Sequence, residues 1–215
     1  MLSSYPSEQI TANIMGRPSN KDQRRHQIAA ALLAVMAERG YEGASINITA
    51  ERAGLAPGLI HYYFKNKHEI LLYAIRELIA VVKQRYDEIA ATSKTPDARL
   101  RAFVHARLAK GPGADSAAVA SWVMIAAEAI RQPEVKAVYE EAMATQQVQL
   151  KCLLSDYAGD RLKTNELREL TAVLLATIEG IFHLSVSADG IMPKDYAAKT
   201  VMKVIERYIG YKHLP

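Results

Sequence analysis

Residues Ser45 to Lys67 read SINITAERAGLAPGLIHYYFKNK. The spacing predicts two short helices joined by a tight turn. Ile46, Ala50 and Ala53 place small or apolar side chains on one helical face. Gly54 follows at once, where a helix end favours a residue that tolerates a left-handed backbone. Pro57 stands where the second helix begins; its fixed φ suits a first helical position, and its missing N–H is not needed there. Leu59, Ile60 and Tyr63 are placed to pack back on the first helix, which leaves Gly58, His61 and Tyr62 facing outward. Two short helices around a glycine turn form the helix-turn-helix pattern, whose second helix enters the DNA major groove.

Upstream, Ile28, Leu32, Val35 and Met36 form the apolar stripe of a helix over residues 21–39. That helix is expected to cover the pair, to end at Gly40 and to be sealed by Tyr41. Downstream, Asn66-Lys67-His68-Glu69 reads as a capping box, in which Asn66 caps and Glu69 reaches back. The long helix it opens carries Ile70, Leu71, Ala74, Ile75, Leu78 and Val82 to about Ala91.

The stretch AERAGLAPGLIHYYFKNKHEIL resembles the DNA-binding signature of the tetracycline-repressor (TetR) family. The matching elements are Ala50, Ala53-Gly54-Leu55, Gly58, Tyr63-Phe64 and Lys67, after a helix ending at Gly40-Tyr41. Three positions depart from the family pattern. Thr49 stands where an apolar Ile is usual, which predicts a looser fit of the first short helix. Ala56-Pro57 replaces a Ser-led start, so proline alone sets the helix entry. His61 stands where a tyrosine is common.

The resemblance implies that Pro57, Gly58, Leu59, His61 and Tyr62 meet DNA. Chemistry supports each role: Gly58 admits close backbone approach, and Leu59 offers itself to a thymine methyl or to the core. His61 presents ring nitrogens to a base edge or phosphate, and Tyr62 a hydroxyl to phosphate. Ser45 and Asn47, at the start of the preceding helix, bond phosphate or serve as caps alone. Lys67, at the positive end of a helix, is a further phosphate candidate. Gly16-Arg17-Pro18 resembles the basic arm seen before this family's first helix, with Arg17 placed for phosphate or the minor groove.

The remaining chain reads as further helices. Thr95-Pro96-Asp97, Pro133, Thr164-Asn165-Glu166 and Pro193 carry start signals, and 110–113, Gly159 and Asp189-Gly190 are breaks. AVASWVMIAAEAI is apolar nearly all round, so it is expected to be buried, with Glu128 as its odd member. The last two helices have more than one apolar face and need more than one neighbour. Leu170, Leu174, Ile181, Val201, Val204, Ile205 and Tyr208 are the candidates for a four-helix interface with a second copy. Trp122, the run Glu128 to Glu134, Tyr139 and Glu179-Gly180 are similar to the regulatory domain of the choline-responsive repressors of betaine synthesis in the same family. In that architecture Phe103, Trp122, Met124, Glu128, Tyr139, Ile178 and Phe182 lie on helices around a ligand cavity, or form ordinary core. An acid in an apolar helix needs a partner. For Glu128 the candidates are Arg107, Arg131 or a cationic ligand, to which Trp122 and Tyr139 would add cation–π contacts.

The whole is an all-α reading: an N-terminal arm over 1–15, a helix-turn-helix domain over 16–66, and a helical ligand-binding and dimerisation domain over 67–215. The net charge of +4 is modest, but the basic residues Arg17, Lys21, Arg24, Arg25, Arg39, Arg52, Lys65 and Lys67 gather in the first third, as phosphate contact requires. No run reads as long and apolar enough to span a membrane. The single Cys152 forms no internal disulfide and fits a reducing cytoplasm. No metal-binding spacing of His, glycine-rich phosphate loop or GxSxG is present, so neither a metal nor a cofactor is expected and an enzyme reading has little support. The expected function is a cytoplasmic homodimeric repressor, released from a palindromic double-stranded operator by a small-molecule effector. The alternatives are a ligand-binding helical protein that has lost specific DNA binding, and a helical enzyme.

Overall fold

The computed structural model describes residues 20–108 and 116–211, and among them every regular element is helical. The helices are α1 (Asn20–Gly43), α2 (Ile46–Ala53), α3 (Pro57–Tyr63), α4 (Lys67–Ala90), α5 (Pro96–Leu108), α6 (Ser116–Ala129), α7 (Pro133–Ala158), α8 (Thr164–Ser187) and α9 (Ala197–Tyr211). The arm over 1–15 and Arg17 lie outside the described residues. The chain divides into two compact units between Ala74 and Ile75, a point inside the continuous helix α4.

In the first unit, Ile28, Leu32, Val35 and Met36 of α1 are buried together with Ala50, Ala53, Ile60, Phe64, Ile70 and Leu71. Gly40 interrupts α1 with φ 70, a conformation that glycine adopts without steric cost. Gln27 on α1 donates its amide to the Ala53 carbonyl at 2.7 Å, which satisfies the C-terminal end of α2. Gly54 has φ 65, and its N–H closes α2 on the carbonyls of Ala50 and Glu51. Thr49 does not loosen α2. It is wholly buried, and its hydroxyl donates to the Ser45 carbonyl at 2.8 Å. Ala56 makes no side-chain cap, and Pro57 opens α3 unaided. Asn66 Oδ1 accepts the Glu69 N–H at 2.8 Å, while the Glu69 carboxylate accepts the Lys65 N–H at 2.8 Å.

The second unit is a helical bundle. Leu100, Phe103 and Val104 of α5 pack with Leu150, Leu153 and Leu154 of α7, Leu170, Leu174 and Ile178 of α8, and Val201, Met202, Ile205 and Ile209 of α9. Arg101 on α5 ties to Asp97 at 2.8 Å and to Glu206 on α9. The start of α9 differs from the sequence reading. Pro193 does not open it; Asp195 takes a left-handed φ of 52, and the helix propagates only from Ala197. Helix α6 is only partly buried, with Ser121, Trp122, Ile125, Glu128 and Ala129 inside and Ala127 exposed.

The expectation that no run is long and apolar enough to span a membrane is corrected. Helix α8 contains an 18-residue window of mean hydropathy 1.6, long and apolar enough by length and composition to cross a membrane. Its charges Glu166, Arg168 and Glu169 crowd the first turns and leave Glu179 as the single charge beyond them. The helix contributes Leu170, Leu174 and Ile178 to the core, yet only 22% of that window is buried within the chain.

Candidate DNA-reading head and effector site

Ser45 caps α2: its hydroxyl accepts the Ile48 N–H at 3.3 Å. Asn47, two residues on, is exposed. The α3 residues divide cleanly. Ile60 is wholly buried and anchors the helix, and Phe64, which ends it, is buried as well. Pro57, Gly58, Leu59, His61 and Tyr62 are exposed. Leu59 was placed to pack on α2, yet it is 38% exposed. Tyr62 is 74% exposed and stacks edge-on against Tyr63, with ring centroids 5.0 Å apart. Neither a carboxylate nor a lysine or arginine interrupts this face.

Several of the nearby cations are occupied within the unit. The Arg25 guanidinium lies 4.8 Å from the Phe64 ring centroid and 4.5 Å from that of Tyr73. Arg52 pairs with Glu38 at 2.6 Å; the hydrogen bond between them lowers the Glu38 pKa and raises that of Arg52. Both groups are exposed, so the pair adds little stability. Lys67 donates to the Tyr41 carbonyl at 2.8 Å and sits over the Tyr41 ring. Lys21, Arg39 and Lys65 are exposed on the same unit.

In the second unit, the two aromatic residues read as ligand candidates come together. Trp122 of α6 and Tyr139 of α7 have ring centroids 5.0 Å apart at an interplanar angle of 36°. The acid between them is Glu179 of α8, which the sequence reading noted as a family match but did not place in the site. Its Oε2 accepts the Trp122 Nε1–H at 3.0 Å and the Tyr139 hydroxyl at 3.1 Å. Burial raises the Glu179 pKa from 4.5, opposed by these two hydrogen bonds and by the charge of Arg107. Burial and the same carboxylate push the Tyr139 phenol well above its ordinary value. Arg107 is brought down to about 10 by burial, so it stays charged at neutral pH.

Arg107 does not answer Glu128. Its Nε donates to Gln146 Oε1 at 3.1 Å, its Nη1 to the Phe103 carbonyl at 3.4 Å, and its guanidinium covers the Phe103 ring at 3.6 Å. Glu128 is buried, but six residues from Trp122 it lies on another side of α6. Phe103 and Ile178 belong to the core, Phe182 packs against it, and Met124 is half-buried.

A groove of about 430 Å³ runs between α8 and α9, lined by Leu170, Leu174, Ile181, Val201, Val204 and Tyr208 among others. Ile205 is wholly buried inside the unit, and Leu170, Leu174 and Val201 are nearly so. Among the apolar side chains lining the groove, Val173, 62% exposed, and Val204, 53% exposed, reach solvent most. Val173 lines the groove but escaped the sequence reading.

Two family patterns match the chain. Residues 28–74 match that of bacterial regulatory proteins of the tetR family, and residues 96–210 match the C-terminal region of BetI-type transcriptional repressors. The HTH-type transcriptional regulator BetI of Pectobacterium carotovorum subsp. carotovorum (strain PC1) is 36% identical over 51% of this chain and 57% of its own length. The chain thus spans little more than half of that relative. The BetI regulator of Yersinia pestis (strain Pestoides F) is 28% identical over 88% of this chain and 94% of its own length. Among solved structures, a transcriptional regulator from Rhodococcus sp. Rha1 aligns with TM-score 0.73 and 25% identity over 89% of this chain and 99% of that one. A regulator from Saccharomonospora viridis, in complex with choline, aligns with TM-score 0.70 and 20% identity over 88% of this chain and 97% of that one.

Proposed function

The chain belongs to the tetR family of bacterial regulatory proteins, with a C-terminal half of the BetI repressor type, and on that basis we propose that it is a cytoplasmic homodimeric repressor that a small cation releases from a palindromic operator. The observation that carries the DNA-binding reading is the face of α3. Buried Ile60 and Phe64 fix the helix and turn Pro57, Gly58, Leu59, His61 and Tyr62 outward. Ser45, Asn47 and Lys67 flank that face, and with Arg17 they supply contacts to phosphate rather than to bases. Two copies related by a dyad present two such heads to successive major grooves, hence the palindrome.

The exposed apolar side of α8 and α9 supports dimerisation. Val173 and Val204 border a groove whose walls are already rigid core, so a second copy of the same pair of helices covers both at once. The effector reading rests on Glu179 held between Trp122 and Tyr139. A desolvated carboxylate between two aromatic rings favours a cation, and the choline-bound regulator of Saccharomonospora viridis shares the fold. Cation binding weakens DNA binding, and DNA weakens cation binding by the same factor.

A footprint on DNA flanking the protein's own gene, at two salt concentrations, tests this. A protected palindrome is expected, with affinity falling at higher salt. Protection that follows salt but not sequence removes the repressor reading.

A further inference from the structure

Glu179 carries an acceptor that the protein leaves unmet. Its Oε2 takes both donors, Trp122 Nε1–H and the Tyr139 hydroxyl. Its Oε1 is buried and takes no hydrogen bond from the protein. Arg107 acts on this carboxylate through its charge, but its hydrogen bonds go to Gln146 and the Phe103 carbonyl. A buried oxygen without a donor bears the full cost of leaving water.

We infer that the effector supplies that donor: the site takes a small ammonium ion that keeps at least one N–H, and prefers it to a quaternary ammonium of similar size. This rests on the cationic-effector reading above. Both kinds of ion gain from the rings of Trp122 and Tyr139. Only the ion with an N–H gives Oε1 a hydrogen bond. A quaternary nitrogen offers methyl groups and no hydrogen bond to this oxygen. Rejection by an unmatched polar group is the stronger form of selectivity, because it penalises the wrong ligand as well as favouring the right one.

Glu179→Gln probes the same atom. The amide must turn its oxygen toward Trp122 and Tyr139, because both are donors. Its NH2 then stands where Oε1 stood and no longer calls for an N–H.

The test is a titration with ethanolamine, its N-methyl and N,N-dimethyl derivatives, and choline. This series keeps the hydroxyethyl arm while the ammonium loses its N–H groups one methyl at a time. Trp122 is the chain's single tryptophan, so its fluorescence reports occupancy directly. The expected result is a drop of about tenfold or more in affinity between the N,N-dimethyl amine and choline, and a series without that step in Glu179→Gln. Choline binding as tightly as the N,N-dimethyl amine overturns the N–H requirement and leaves the cationic site standing. If none of the four amines changes the fluorescence or the melting temperature, both readings fall. The wild-type series decides the matter even where Glu179→Gln does not fold.

Discussion

The ammonium of Lys67, at the first position of α4, donates to the carbonyl of Tyr41 at 2.8 Å and lies 3.9 Å from the centroid of the same residue's ring. One side chain thus fastens the chain just after Gly40 to the start of the long helix. Lys67→Met keeps most of the stem and removes the charge. It is expected to lower the unfolding free energy by about 1–3 kcal/mol, measured by urea denaturation. An unchanged midpoint, with only a smaller salt dependence of DNA binding, would show that Lys67 serves phosphate and not the fold.

Gly54 and Gly58 separate folding from DNA contact. Gly54 has a left-handed φ, so Gly54→Ala is expected to cost about 1–2 kcal/mol of stability. An added Cβ at Gly58 meets nothing within 4 Å, and alanine favours helix, so Gly58→Ala is expected to leave stability equal or up to about 1 kcal/mol higher. Operator affinity of Gly58→Ala is nevertheless expected to fall by about tenfold or more, because the proposed reading brings the α3 backbone close to DNA at this position. Unaltered operator binding in gel-shift titrations would mean that DNA does not come that close.

Val173 and Val204 face solvent on the groove between α8 and α9. Val173→Asp together with Val204→Glu is expected to convert a dimer into a folded monomer, because neither side chain belongs to the chain's own core. Sedimentation velocity and circular dichroism check the two halves of that statement. A dimer that survives both charges would move the interface elsewhere.

The raised pKa of Glu179 gives effector binding a definite sign with pH. In the free protein the carboxyl takes up its proton at a higher pH than in the unfolded chain. Its contribution to stability is therefore fully present below the unfolded value of 4.5 and is lost as pH rises through the folded one. A cation needs the ionised form, so ammonium affinity is expected to weaken as pH falls through the folded value, and binding near that value to release a proton. Calorimetry in two buffers of different ionisation enthalpy measures the release. Binding that ignores pH from neutrality down to 4.5 would place the cation away from Glu179.

The reading head was largely legible in the sequence because turn chemistry is local. Gly54 and Pro57 announce a helix end and a helix start within a few residues, and Asn66 and Glu69 announce the next start. Leu59 was ambiguous for a physical reason: on so short a helix, neighbouring Leu59 and Ile60 fit an apolar stripe equally well, and only packing shows that Ile60 takes the core. The Trp122–Tyr139–Glu179 cluster was half legible. Trp122 and Tyr139 were reached through the resemblance to the choline-responsive repressors, but no periodicity links residues on three separate helices. Glu128 drew notice because its helix is apolar all round, whereas Glu179 lies beside Ile178 on a helix with several apolar faces. The visible signal for Glu179 was the Glu-Gly pair. For Val173, helical spacing favoured Leu170 and Leu174, which the chain buries itself.

The anchoring of α3 through Ile60 and Phe64 makes its outer face an interchangeable part. The side chains at positions 59, 61 and 62 are exposed, and Gly58 carries none. If this face reads the operator as proposed, substitutions there are expected to alter which operator is read at little thermodynamic penalty to the scaffold. On that reading, a lineage could acquire a new regulatory target through this face without rebuilding the Trp122–Tyr139–Glu179 cluster, which lies on other helices.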